Sequence, residues 1–153
     1  MGIFVHILSG RIAMATQVNI KITGTEYGVS EQEQIKELVS GTYYEKNGKE
    51  YVIYDLPDGN ETIHTTLKIE KNQLELIKSQ NSLRTHLKFK QGETCLSQYH
   101  TMAGSLELDF NTKELAISSN KDSISIHIIY EISINHTLIG VRRIQIEIEK
   151  INK

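Results

Sequence analysis

"SISIHIIYEISI", residues 123–134, decides the fold class. Isoleucine or tyrosine fills every second position from Ile124 to Ile134, and the positions between hold Ser, Ser, His, Ile, Glu and Ser. A side-chain period of two means a β-strand with one dry face and one mostly wet face. The dry face must look into something, either a packed core or a cavity that holds a ligand.

The same alternation recurs on both sides of this stretch. Upstream it runs through Val18/Ile20/Ile22, Ile63/Thr65/Leu67/Ile69, Leu74/Leu76, Leu83/Thr85/Leu87/Phe89 and Leu106/Leu108/Phe110. Downstream it returns at Ile144/Ile146/Ile148. Short turn signals separate the runs: Asn47-Gly48, Pro57-Asp58-Gly59, Lys71-Asn72, Gln91-Gly92, Asn120-Lys121-Asp122 and Asn135-His136. Asn-Gly suits the positive φ angles of a tight hairpin. Many short strands joined by tight turns pair as antiparallel neighbours, and a meander of them can close on itself and remove its exposed edges. One segment conflicts with this pattern. "SEQEQIKELVSG", residues 30–41, has a capping box at Ser30 and Glu33, helical spacing at Ile35/Leu38/Val39 and a glycine stop.

The chain has 153 residues, enough for one domain with a single core. A formal charge of −2 and a pI near 6.3 leave no basic block for nucleic acid and no acidic tail. The lone Cys95 excludes an internal disulfide, so a reducing cytoplasm is the expected setting. The apolar run Ile3 to Leu8 is too short for a membrane helix and lacks the charged flank of a signal peptide. Met14 stands just ahead of the first alternating run. Residues 1–13 therefore read as an extension or a mis-assigned start, and residues 14–153 as one barrel domain. A short added strand or a docking arm is the alternative for the extension.

Residues of a more specific kind lie at Gly41 with Tyr43-Tyr44, at Tyr51 and Tyr54, at Thr66-Leu67-Lys68-Ile69, and at Tyr99-x-Thr101-x-x-Gly104-x-Leu106 ending in Thr112. In these the chain resembles the YwiB-like family of uncharacterised bacterial proteins over about residues 16 to 149. Many members carry proline where this chain has Met102. The resemblance implies a lipocalin-like (calycin) β-barrel and no catalytic residues. It also implies a long strand running into the Gly-x-Tyr-Tyr motif, so residues 33–46 are expected as strand against their local helix signal. The expected fold is all-β, a single up-and-down antiparallel barrel of about eight to ten strands.

No side-chain set assembles a catalytic or metal centre. Among the six histidines no His-x-His pair appears, and the chain has no Cys-x-x-Cys. His64, His86 and His127 alternate with apolar residues and should face outward. Cys95 and His100 are five apart on one strand, so they point to opposite faces and cannot pair as nucleophile and base. Cys95 reads as a small structural thiol.

Two groups are better candidates for binding a small molecule. If Leu96 points inward, Gln98 and His100 enter the barrel with it, and Thr65 and Thr85 could join them. The bland counterpart is a polar rim holding water. The second group is the tyrosines Tyr43, Tyr44, Tyr51, Tyr54 and Tyr99, which offer apolar area with a polar tip, or which simply plug one end. Arg142 and Arg143 could meet an anionic headgroup, and the spacing of Val141 and Ile144 implies a bulge between them. The expected function is a non-enzymatic cytoplasmic barrel for a small apolar or amphipathic ligand, with no cofactor, no metal, no nucleic acid and no membrane. Its oligomeric state is open, with a homodimer among the options. The alternative is a filled barrel that meets a protein partner with its outer face.

Overall fold

The computed structural model describes residues 15–27, 34–81, 83–101 and 103–151, apart from the side chains of 25–27, 34–35 and 99–101. Residues 1–14, with the question of Met1 or Met14, lie outside this range, as do Ser30, Glu33 and Met102. Ten strands follow one another. They are β1 (Thr16–Tyr27), β2 (Gln34–Lys46), β3 (Lys49–Asp58), β4 (Glu61–Ile69) and β5 (Leu74–Gln80), then β6 (Leu83–Phe89), β7 (Thr94–Thr101), β8 (Gly104–Ser119), β9 (Ser123–Ile134) and β10 (Thr137–Lys150). They form one antiparallel sheet in the order β6-β5-β4-β3-β2-β1-β10-β9-β8-β7. Every neighbour in that order is also a neighbour in the chain, except β1 and β10. The sheet rolls into a barrel because β6 and β7, its two ends, are themselves joined by a short turn.

That join is a seam and carries no backbone ladder among the described residues. Lys88 N–H there meets the Cys95 sulfur at 3.4 Å. The opposite side is laddered throughout. Val18 pairs with Lys150 and Ile22 with Ile146.

The disputed segment is strand from Gln34 onward. Its register places Val39 against Ile20 and Gly41 against Tyr54. A Cβ on Gly41 would lie 2.5 Å from the Ile53 carbonyl oxygen, 2.9 Å from Ile20 Cδ1 and 3.2 Å from Tyr54 Cβ. Glycine here lets strand and large side chains approach. It does not stop a helix, so packing between strands overrides the local helix propensity. Asn47 and Gly48 take φ of +53° and +78°, the left-handed pair a two-residue hairpin needs. Gly104, at φ +124°, holds a conformation that L side chains rarely adopt.

Alternation then fills the interior. Ile124, Ile126, Ile128, Tyr130 and Ile132 of β9 are all buried, as are Val18, Ile20, Val52, Leu67, Ile69, Leu74 and Ile148 around them. Phe89, Phe110 and Tyr130 contact one another with ring centroids 5.4–6.3 Å apart and span the inside of the seam. In an up-and-down barrel, alternate turns lie at the same end. The end with the β2–β3 and β8–β9 turns is bridged across the lumen. Tyr43 Oη donates to Glu50 at 2.8 Å, and Ser119 Oγ, on the far wall, donates to the same carboxylate oxygen at 3.1 Å. Lys150 Nζ lies 4.1 Å above the Tyr43 ring. Burial and the Glu50 and Glu45 carboxylates hold the Tyr43 hydroxyl neutral far above its usual range.

Candidate functional site

Burial of the inward positions falls along the barrel. Near the bridged end the row Ile69–Leu74–Phe89 is dry. Two rows further on, register aligns Tyr54 with Thr65, Thr65 with Lys78 and Lys78 with Thr85. Tyr54 and Thr65 are buried, Thr85 is half-buried, and Lys78 is exposed. Beyond this row Leu56 and Ile63 are half-buried, and Leu83 is 54% exposed. Among the described residues the polar row thus marks where a packed core gives way to half-buried and exposed positions.

The electrostatics of the row are specific. Burial raises the Tyr54 hydroxyl to about 12, the Glu37 carboxylate adds to this, and the Thr65 hydroxyl acts in the opposite sense. Glu37 pairs with Ile22 in register and is half-buried on the inward phase of β2. Thr65 Oγ1 is fully enclosed with the Tyr54 hydroxyl as its hydrogen-bonding neighbour, and Thr112 Oγ1 on β8 is enclosed with no partner of ordinary geometry among the described residues. A buried hydroxyl without a partner costs about 1–3 kcal/mol, so such groups normally meet water or a ligand.

The structure separates the residues singled out from sequence. Tyr54, Thr65 and Thr85 come together in the row. Tyr43 lies towards the other, bridged end. Tyr44 does not enter the barrel. It stacks on Tyr51 outside, with centroids 5.0 Å apart and planes 5° apart. The condition that Leu96 points inward fails. Leu96 is 61% exposed and pairs with Asp109, while the exposed Gln98 pairs with Glu107, all on the outer surface. Cys95 takes the inward place because its register partner is the buried Phe110. Tyr99 and His100 stand on β7 opposite Leu106 and Ser105, but their side chains lie outside the described residues. The bulge expected at 142–143 lies earlier, between Leu138 and Gly140. Arg142 therefore shares the inward row of Tyr130, and Arg143 is exposed. Sequence reading missed Glu37 and Lys78. Glu37 is in phase with Val39 and Tyr43, and Lys78 with Leu74 and Leu76, so strand parity alone could have found both.

The histidines with described side chains face outward beside carboxylates. His64 lies 2.7 Å from Asp55, His86 2.7 Å from Glu75 and His127 3.7 Å from Glu114. His136 sits between Glu107 at 2.9 Å and Asp109 at 3.4 Å. These three could hold a cation, yet both ring nitrogens already face carboxylates and the histidine is largely exposed. Exposed trios of this kind are common without an ion. Cys95 is half-buried against the core and has no histidine partner among the described side chains.

The model of a family described as a domain of unknown function (DUF1934) matches residues 20–146. The chain belongs to this family. The crystal structure of the ywiB protein from Bacillus subtilis superposes with a TM-score of 0.77 at 20% identity, covering 92% of this chain and 96% of that one. At that identity the likeness speaks for the fold alone, an all-β barrel of the YwiB type. No curated protein matches. No helix long and apolar enough to cross a membrane occurs among the described residues.

Proposed function

We propose that this member of the DUF1934 family is a cytoplasmic binding barrel that seats a small amphipathic molecule at its open mouth. The polar end meets Tyr54, Thr65 and Thr85, and the apolar part lies along Leu56 and Ile63. One observation carries this reading. Thr65, 2% exposed, sets a hydroxyl beside the buried Tyr54 and the inward Glu37 at the row where the dry core ends. A barrel mouth with a few converging polar groups over an apolar floor is the usual form of a small-molecule site. The packing of Ile124, Ile126 and Ile128 supports a site confined to the mouth and not running through the barrel. The lone, half-buried Cys95 supports a reducing compartment.

Titration with a fluorescent fatty-acid or naphthalene probe tests it. Saturable binding is expected, weakened about tenfold or more in Thr65→Val, because valine keeps the shape and removes the hydroxyl. Failure of several probe classes to bind the wild-type chain would sink the proposal. A second reading, a filled barrel that docks a protein, is favoured by Leu38. It is 80% exposed beside a shallow outer groove of about 630 Å³ between Ser40, Lys21 and Glu147.

A further inference from the structure

The outer surface of the barrel is electrically two-sided, which a net charge of −2 conceals. Register sorts the charges. Outward strand positions on β2 to β6 carry six cations, Lys36, Lys46, Lys49, Lys68, Arg84 and Lys88. Only two anions occupy these outward positions, Asp55 and Glu75, a formal +4 there, with the exposed Glu45, Asp58 and Glu61 at the ends of the same strands. Both are engaged, Asp55 by His64 at 2.7 Å and Glu75 by His86 at 2.7 Å and Lys68 at 3.6 Å. On β1 and β7 to β10, the described outward positions carry three cations, Lys21, Lys113 and Arg143, against six anions, a formal −3. The anions are Glu107, Asp109, Glu114, Glu131, Glu147 and Glu149.

The basic side also carries flat rings. Tyr44 and Tyr51 stack on each other on this outer surface, and Ile53 beside them is 39% exposed. Tyr51 pairs in register with Lys68, and Lys46 pairs with Lys49 one row away. Rings within a patch of lysines on an open sheet face suit one class of polyanion. Single-stranded nucleic acid places planar bases on aromatic side chains and its phosphates on surrounding cations. An acidic peptide would satisfy the lysines and leave the ring pair unused. A duplex keeps its bases stacked inside and likewise has no use for it. We propose that the outer face of β2 to β4 binds single-stranded nucleic acid, with bases on Tyr44, Tyr51 and Ile53 and phosphates on Lys46, Lys49 and Lys68. The surface is separate from the mouth, so either proposal can fail alone.

Fluorescence anisotropy of labelled oligo(U) and oligo(dT), beside a duplex and a polyglutamate peptide, reads this out. Three phosphate contacts predict a slope of log K against log salt of about −2. Lys46→Glu with Lys49→Glu should weaken binding at least tenfold and flatten that slope. Tyr51→Leu should weaken it by roughly five- to a hundredfold and leave the slope unchanged. Tyr44→Leu provides a second variant should Tyr51→Leu not fold. Lys21→Glu, on the acidic side, should change nothing. Preference between oligo(U) and oligo(dT) identifies the natural strand. No binding at about 50 mM salt, polyglutamate binding as tightly, or indifference to both tyrosine substitutions would overturn the proposal.

Discussion

Strands β7 and β9 flank the same neighbour, β8, and are anchored very differently. On β9 one phase holds five isoleucines and a tyrosine, and the five from Ile124 to Ile132 are buried. A one-residue slip would turn all of them into water, so the register is strongly specified. On β7 the claims are few and divided, with Cys95 and Tyr99 on one phase and Leu96 on the other. Phe110 and the seam decide between them in favour of the cysteine. The larger hydrophobe is left outside. Facing is therefore a property of the whole strand, summed over its residues, and a single leucine does not settle it.

The sharpest way to break this contrast is to place a charge in β9. Ile128→Asp buries a carboxylate without a partner and should cost on the order of 4 kcal/mol. His127→Asp, one residue away on the wet phase, should stay within about 1 kcal/mol. Equal losses in urea unfolding would show that β9 has no dry face.

On the opposite wall, Tyr54 measures how dry the interior is at the polar row. Its hydroxyl stands near 10 in an unfolded chain and about 12 here, so the fold favours the neutral form. The resulting stability is complete below pH 10 and is lost as pH climbs from 10 through 12, by up to roughly 2–3 kcal/mol. Tyr54→Phe should show a shallower alkaline fall in melting temperature than the wild type over that window. Parallel curves would mean that Tyr54 is wetter than its burial suggests.

The smallest effects belong to β7. Cys95→Asp should cost about 1–2 kcal/mol, and Leu96→Asp less than about 0.5 kcal/mol. A larger loss from Leu96→Asp would reverse the facing assigned to the strand.

Much of the fold was legible because alternation and turn chemistry agreed at most places. Asn47-Gly48 named its hairpin, and Ile124 to Ile134 named their face. The strand at 34–46 was legible only through the Gly-x-Tyr-Tyr resemblance. Its cause, the approach of Gly41 to Ile53 and Tyr54, is a tertiary contact between strands. The mouth was half legible. Thr65, Thr85 and Tyr54 were in view, but Glu37 and Lys78 look like surface charges until parity is counted across a wall that opens to solvent. The ends of the lumen could not be told apart, so Tyr43 was grouped with residues at the far end. Charge sidedness was hidden because sequence sums over both halves of the cylinder.

The seam has a consequence for how the chain could be rewired. Ile151 N–H donates to the Gln17 carbonyl at 2.9 Å, so the start of β1 and the end of β10 lie side by side, while β6 and β7 share no backbone ladder among the described residues. A circular permutant that joins Ile151 to Ala15 and opens the chain at Gln91-Gly92 would run in the order of the sheet itself, β7 to β10 and then β1 to β6. Its one distant pairing would become a hairpin. With that closure made local, the permutant should fold faster than the parent chain.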